Sequence, residues 1–474
     1  MELMSTTNGY LMLGLFAIAM VTITYNFARW KSWDTKEGFV LANRNLGWVL
    51  GGASIAASWI WAPALFVSIQ MAYQKGLAGI FWFTFPNVIA LAIFAFLAPT
   101  IRRQLPEGYT FPQFIKQRLS SERVHKLFLF PYFFYQLMAV TVQIYAGGSL
   151  LSLLTGISLN VLMPLLLLIA LTYILISGLV ATVVTDCVHM AMIYLIGGSI
   201  VAWTCAAAGG LKAVSAGMHG IEAVPSIFDP NVAFSFGIVT SIGLLSGAIC
   251  DQQYWQRAFA IKENELRKAF IFGSMLFAAV PIGVSILGFL AANPQLAIKL
   301  PAGTDVALIG VGTVAHFLPG WGVILFVLMV LSALSSSLDS GLSATSSLWI
   351  TDVVKSDSNA SAVKSARLAM IGISIAGLAV ALLVQYIPGF GLKQLWWVFN
   401  TISACVAVPT ILSLYWDKLS ERGVFWGVLL AFVIGLPLFI YGNVIDKPIW
   451  IVGASVFIIA ITTLFCVILA KKEQ

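Results

Sequence analysis

Long apolar runs separated by short polar segments make up most of the chain. Each run is continuous and about 20 residues long, the length at which a helix crosses the hydrocarbon core of a bilayer. A membrane β-barrel would instead show short segments of alternating polarity. The pattern therefore predicts an all-α polytopic membrane protein with thirteen transmembrane helices. The predicted spans are residues 9–28, 47–72, 77–100, 127–155, 158–178, 180–207, 232–254, 269–292, 320–349, 367–386, 394–416, 423–442 and 448–470.

The ninth span departs from this pattern in its second half. Residues Ser332–Asp352 contain eight serines, two threonines and the carboxylate of Asp339, although polar groups without partners are costly in hydrocarbon. The positions that follow helical spacing and share one face are Ala333, Ser336, Ser337 and Ser340. Two interpretations are open. The stripe supplies oxygen ligands to a monovalent cation, or its small residues let helices pack closely.

Composition and charge agree with a membrane protein. Of all residues, 60% are hydrophobic and only 9% are charged, against about a quarter in soluble domains. With the amino terminus outside, 21 of the 26 Lys and Arg residues fall on the inner side, as the positive-inside rule expects. This predicts a multi-pass protein of the cell membrane with a cytoplasmic carboxyl terminus. The net charge of +7 then needs no nucleic-acid partner.

Enzymatic chemistry is not indicated by the sequence. The first ten residues lack a basic leader, so we expect the first span to be retained. The five cysteines form no CxxC pair, which argues against a disulfide framework or a zinc site. Asp186 and His189 lie three residues apart in the sixth span, but the four histidines form no metalloprotease motif. No nucleophile and base stand together.

Two apolar spans carry features that interrupt a helix. In the second span Pro63 removes a backbone donor and frees carbonyls near Trp59. In the seventh span Asp251 precedes two glutamines. Spans two and seven are five apart, and paired interrupted helices in two halves of a chain indicate a transporter's binding site. The alternatives are a simple proline kink, and an Asp251 at the cytoplasmic interface with Arg257 as an inner anchor.

Several short motifs occur in the order and spacing of one known family. They are Asn43-Arg44-Asn45-Leu46-Gly47, Ala56-Ala57, Thr185-Asp186, Gln256-Arg257, Ser336-Ser337-Leu338 and Thr351-Asp352. At these residues the chain resembles the sodium:solute symporter family. The resemblance implies a LeuT-type core of two inverted five-helix repeats, spans two to six and seven to eleven, with one helix before and two after. The implied divisions are 1–46, 47–207, 208–231, 232–416 and 417–474.

The resemblance also implies two ion sites. The principal sodium site would use the carbonyls of Ala56, Trp59 and Ala333 and the hydroxyls of Ser336 and Ser337. A second cation or proton site would use Asp186, Asp339 and Ser340. At Asp339 the chain departs from the serine often found in the family. Two carboxylates near one cation do not easily both ionise, so sodium, a proton or no ion are all open for that place.

Within the family, Asp251 to Ala258 (DQQYWQRA) and the Trp59 and Trp61 pair are most similar to the urea-transporter branch. This implies sodium-coupled import of a small polar solute, urea in the first place, by alternating access. The substrate-binding candidates are Trp59, Trp61, Pro63, Trp82, Asp251, Gln252 and Gln253. The open alternatives are an amino acid, a nucleobase or another small solute, coupling to protons, and a transporter-like membrane sensor. The partners expected are the substrate and membrane lipid, and the sequence does not define the oligomeric state.

Overall fold

The computed structural model describes residues 4–28, 35–354, 358–387 and 392–471. Regular structure within these ranges is helical, apart from an isolated bridge between Leu46 and Ile261. Four basic residues counted on the inner side, Arg29, Lys31, Lys355 and Lys472, lie outside the described residues.

The first half of the chain forms eleven α-helices. They are α1 Thr6–Ala28, α2 Lys36–Leu41, α3 Trp48–Trp59, α4 Ala62–Leu65, α5 Val67–Ala92, α6 Phe94–Gln104, α7 Phe111–Leu119, α8 Glu122–Thr155, α9 Leu159–Ser177, α10 Leu179–Met192 and α11 Gly198–Ala207. A π-helical turn, Ile193–Gly197, joins α10 to α11.

The second half forms twelve more. They are α12 Leu211–Ser215, α13 Pro230–Val232, α14 Ile238–Cys250, α15 Gln252–Ala260, α16 Leu266–Ala292, α17 Ile309–Phe317, α18 Gly320–Leu348, α19 Asn359–Val384, α20 Leu392–Tyr415, α21 Glu421–Leu430, α22 Leu436–Val444 and α23 Pro448–Ile468. Further π-helical turns follow α13, α18 and α21 at Ala233–Gly237, Trp349–Val353 and Ala431–Gly435.

Twelve helical segments in the described ranges are long and apolar enough to cross a membrane, one fewer than the thirteen predicted. The difference lies in the second predicted span, which is broken after α3. The rest of the predicted span forms α4 and the start of α5, so no single helix covers residues 47–72. A kink at Gly76, with φ of 59°, stands at the predicted boundary between spans two and three.

Small residues allow the central helices to approach closely. α16 packs along both α3 and α5, and α18 packs along α8 and α10. A Cβ on Gly273 would lie 2.9 Å from the Gly52 carbonyl oxygen, and one on Gly288 would lie 2.3 Å from that of Ile69. Glycine at both positions therefore sets the distance between α16 and the broken helix beside it.

The loops that carry most basic residues meet at one end of the bundle. Leu46 N–H donates to the Ala260 carbonyl, and Lys262 N–H donates to the Leu46 carbonyl. Arg118 pairs with Asp417 at 2.6 Å. The chain segments before α3, after α15 and after α20 thus share one face, which is the face predicted to be cytoplasmic.

Candidate functional site

The first helix break lies between α3 and α4. Pro63 has no N–H for the Trp59 carbonyl, and Ile60 N–H donates to Ala57, three residues back, and not to Ala56. The Ala62 N–H instead donates to Gln143 Oε1 of α8 at 2.9 Å. The break therefore leaves carbonyl oxygens without their usual helical donors inside the protein.

Ser337 of α18 faces this break. Its hydroxyl lies 3.3 Å from the Ser58 carbonyl oxygen and 3.1 Å from that of Ile60. The Trp61 indole N–H also donates to Ser58 at 2.7 Å. Backbone oxygens and a serine oxygen from two different helices are thus gathered at one buried point. The carbonyls that Ser337 meets are those of Ser58 and Ile60, next to the Ala56 and Trp59 carbonyls named for the sodium site.

Ser336, the residue before Ser337 on α18, contacts α10 and not the break. The Ser336 hydroxyl donates to Asp186 Oδ1 of α10 at 2.5 Å, and Ser54 of α3 donates to Asp186 Oδ2 at 2.5 Å. Ser340, one turn further, pairs with Ser58 at 2.9 Å. The predicted second site therefore adjoins the first, since α3 and α18 contribute to both.

Arg257 of α15 occupies the predicted second site. Its guanidinium is fully buried and lies 3.2 Å from Asp186 Oδ2. It also donates to Ser340 at 2.8 Å, to Ser54 at 2.9 Å and to the Gln253 carbonyl at 3.1 Å. The interpretation of Arg257 as an anchor at the inner membrane surface is wrong, because burial and these four contacts place it in the polar core.

Asp339 has fewer partners. Its Oδ2 accepts from Thr185 at 3.1 Å, while Oδ1 is buried without a hydrogen-bond partner. The Tyr173 hydroxyl of α9 faces the carboxyl but does not meet it in hydrogen-bond geometry. His189 does not bond to Asp186; its Nδ1 lies 2.6 Å from the Ser332 hydroxyl. Asp339 thus lies beside the Arg257 cluster without an ion-pair partner.

The second helix break lies at Asp251, between α14 and α15. Asp251 is extended (φ −82°, ψ 112°) and fully buried, and its Oδ1 caps α15 by accepting from Gln253 N–H. Gln136 of α8 donates to the same oxygen at 3.1 Å. Asp251 Oδ2 and Gln253 Oε1 are buried without partners. Asp251 therefore belongs to the interior and not to the cytoplasmic interface.

Two residues of the predicted substrate set have other neighbours. Gln252 donates to the Tyr109 carbonyl at 2.9 Å and accepts from Phe111 N–H at 3.3 Å, so it ties α15 to the start of α7. Trp82 packs on the π-helical turn before α14, where a Cβ on Gly237 would lie 2.5 Å from its ring. Neither lines the cavity at the first break, and neither do Asp251 and Gln253.

A narrow cavity of about 20 Å³ does lie at the first break. Its wall is mostly aromatic, with Trp61 stacked on Phe399 at 5.1 Å between ring centroids. Three predicted residues, Trp59, Trp61 and Pro63, line it. The lining residues that the sequence did not single out are Ala64, Phe83, Asn87, Tyr135, Leu244, Trp396 and Phe399.

Amides on α8 are the signal that sequence reasoning missed. Gln136 and Gln143 are seven residues apart in an apolar span, which places them on one helix face. Gln143 accepts a hydrogen bond at the first break, and Gln136 donates one at the second. Polar residues at helical spacing in that span could therefore have indicated a helix that faces both breaks.

A cluster of polar side chains, separate from the two breaks, surrounds the end of α18 that the basic loops predict to be cytoplasmic. Asp352 accepts from Thr110 at 2.7 Å and lies 2.8 Å from His125 Nε2. Lys36 of α2 reaches the Ile350 carbonyl at 3.5 Å. Burial lowers the pKa of Lys36, and the nearby Asp352 carboxylate opposes that shift. These contacts hold α2, α7 and α8 against α18.

A bundle of apolar spans in which two broken helices meet buried oxygen atoms is typical of the LeuT-type fold. A solved structure with the same fold is that of a Na⁺-coupled sialic acid symporter in a substrate-bound, outward-open state. It superposes with a TM-score of 0.75 at 18% identity, over 98% of this chain and 99% of that one. The sodium:solute symporter family matches residues 39–431. The chain belongs to that family, whose members are symporters and not enzymes.

Curated relatives include two kinds of symporter. The urea-proton symporter DUR3 of Oryza sativa subsp. japonica is 23% identical over 86% of this chain, but this chain covers only 61% of that protein. The sodium/glucose cotransporter of Vibrio parahaemolyticus is 27% identical over 90% of this chain and 84% of that protein. The chain is therefore a multi-pass membrane protein of the sodium:solute symporter family, and it spans about three fifths of the length of the rice urea-proton symporter.

Proposed function

We propose that this protein couples inward sodium flow to the uptake of a small polar solute, and that urea is the substrate. The observation that carries the proposal is the meeting of Ser337 with the broken second span. Sodium would bind the carbonyls of Ala56, Trp59 and Ala333 and the hydroxyls of Ser336 and Ser337. Ser336 donates its proton to Asp186, so its lone pairs remain available to a cation.

The urea assignment rests on the second break. Asp251 Oδ2 and Gln253 Oε1 are buried acceptors without partners, and urea offers four N–H donors and one acceptor. Aromatic faces around Trp59 and Trp61 suit a planar molecule. The relative from rice is a urea-proton symporter. A neutral solute also avoids placing a second negative charge beside Asp251.

Sodium between α3 and α18 would stabilise the arrangement in which those helices touch. A ligand shifts a conformational equilibrium only by its preference for one state. Because both helices contribute oxygens, ion binding favours the closed contact between them. The proposal includes repeats at 47–207 and 232–416, joined by 208–231 and flanked by 1–46 and 417–474, in a cell membrane with the amino terminus outside.

Proton coupling is the second candidate. It is favoured by the balance of buried charge, because Arg257 neutralises one of two carboxylates, Asp186 and Asp339. The second cation or proton site predicted at Asp186, Asp339 and Ser340 already contains this guanidinium. A proton on Asp339 would complete neutrality without an additional metal ion.

Labelled urea uptake into proteoliposomes tests the proposal. We expect accumulation under an inward sodium gradient and not under a proton gradient alone. Removing one sodium ligand in Ser337→Ala costs about 1.5 kcal/mol, which raises the half-saturating sodium concentration about tenfold. Ser346→Ala is the matched control, because its hydroxyl bonds only to Ser343 of the same helix. An unchanged sodium requirement in Ser337→Ala removes the ion-site assignment, and absence of urea accumulation removes the substrate.

A further inference from the structure

A second cavity lies away from the ion and substrate residues, on the outer side of the helix bundle. It encloses about 260 Å³ between the α10–α11 pair and α16. Ile193 and Val201 line one wall, Val280 and Val284 line the other, and the buried Met329 of α18 lies at the base. No residue proposed for solute binding lines it.

Two glycines open this groove. A Cβ on Gly198 or on Gly283 would meet no atom within 4 Å, whereas one on Gly197 would lie 3.2 Å from Met329. The π-helical turn Ile193–Gly197 stands at the same place, and such turns often occur at functional sites. The absence of side chains at Gly198 and Gly283 thus leaves space between two packed helices.

The lining is apolar throughout, apart from one satisfied group. Among the residues that line the groove, only Tyr194 carries a polar side-chain group, and its hydroxyl donates to the Leu276 carbonyl of α16. A water molecule needs two to four polar partners to occupy a cavity, and this lining offers it none that is free. The groove therefore suits hydrocarbon.

The surroundings identify the source of that hydrocarbon. The walls belong to membrane-length segments 179–207 and 263–292, and the groove lies near the middle of both. Leu195, Met275 and Ile282 beside it are 71%, 67% and 55% exposed, as expected of side chains that face lipid. The volume is below the ~300–1,000 Å³ of sites that enclose drug-sized ligands, which favours a single flexible chain over a fused-ring sterol.

We propose that this groove binds one acyl chain of a membrane phospholipid as a fixed part of the folded transporter. The chain fills the space that Gly198 and Gly283 leave, and it packs α16 against α11 and the π-helical turn that joins α11 to α10. α10 carries Asp186, and α18, at the base, carries Ser336 and Ser337. The bound acyl chain thus stabilises the packing of the helices that carry the ion-site residues, from their lipid-facing side. The inference does not depend on which ion or solute is transported.

Photo-crosslinking with a phospholipid that carries a diazirine on its acyl chain tests the site. The full-length protein is reconstituted with the probe, extracted, washed with lipid-free detergent for increasing times, irradiated and mapped by peptide mass spectrometry. We expect label on residues 193–202 and 279–286 to outlast label around Gly372, a lipid-facing glycine of α19 with open space at its Cβ. Loss of label from both regions at the same rate overturns the proposal.

Substitutions that fill the groove provide a second test of the site. Gly198→Leu with Gly283→Leu should reduce groove labelling at least tenfold, while Gly372→Leu leaves it unchanged. Because the leucines replace the chain, delipidation should lower the melting temperature of the wild type more than that of the double variant. Retained labelling in a folded double variant contradicts the site, and stronger labelling by a diazirine sterol contradicts the acyl chain. If the double variant does not fold, Gly283→Leu alone is compared.

Discussion

The buried ion pair between Arg257 and Asp186 gives a stability prediction whose size follows from the structure. Arg257→Gln removes the charge and the donors that reach Asp186, Ser54 and Ser340. Breaking a buried pair by removing one partner costs ~3–5 kcal/mol, because the remaining charge stays buried. Ser54 and Ser336 still donate to the Asp186 carboxylate, so we expect the lower end of that range, about 3 kcal/mol.

Thermal inactivation in detergent measures this cost. At a fixed temperature, about 3 kcal/mol corresponds to about 150-fold faster loss of folded protein if the pair is broken in the transition state for unfolding. Arg123→Gln is the control, because Arg123 is 70% exposed and its pair with Glu421 is expected to contribute no more than ~1 kcal/mol.

The double variant separates the pair from general damage to the core. Asp186→Asn combined with Arg257→Gln removes both charges and leaves amides that can bond to each other. We expect it to inactivate more slowly than Arg257→Gln alone, since no unpaired charge remains. If the double variant is as labile as the sum of the two single variants, the ion pair does not account for the instability and the reasoning is refuted.

Two further substitutions probe other parts of the fold. Gly76→Ala should reduce the yield of folded protein, because φ is 59° there and a Cβ would lie 2.1 Å from the Met218 carbonyl; wild-type yield and melting temperature would contradict this. Asp352→Asn should weaken the contacts with His125 and Thr110 at the end of α18 and increase labelling, by a membrane-impermeant thiol reagent, of a cysteine introduced at Thr351, whose hydroxyl is buried without a partner. Labelling equal to that of the same cysteine with Asp352 intact would show that the cluster does not restrict access.

The position of both helix breaks could be predicted from the sequence for a clear physical reason. Pro63 cannot donate to the fourth preceding carbonyl, so a break near Trp59 follows from covalent chemistry alone. Asp251 combines a helix-capping side chain with a place inside an apolar span, and the structure uses it as the cap of α15. The helical spacing on α18 placed Ser337 on a polar face, and the family resemblance implied that this face meets the broken span.

Side-chain partners across the bundle could not be predicted in the same way. Arg257 ends a polar segment, and long basic side chains usually extend to the membrane surface. Only the packed structure places its guanidinium beside Asp186. The prediction that Gln252 binds substrate rested on its position next to Asp251 in the sequence. Neighbouring residues on a helix point about 100° apart, and Gln252 faces α7.

The buried guanidinium also bears on how many cations the site can hold. Both oxygens of Asp186 already accept hydrogen bonds, from Ser336, Ser54 and Arg257. Ser340 accepts from the same guanidinium. A metal ion at this place would have to displace a guanidinium group that is fixed by covalent attachment to α15. At the first break the donors that meet the Ser58 and Ile60 carbonyls are neutral, namely the Trp61 indole N–H and the Ser337 hydroxyl. We therefore infer one exchangeable metal ion per transport cycle, bound at the first break, and a sodium-to-solute flux ratio of two in proteoliposomes would contradict this.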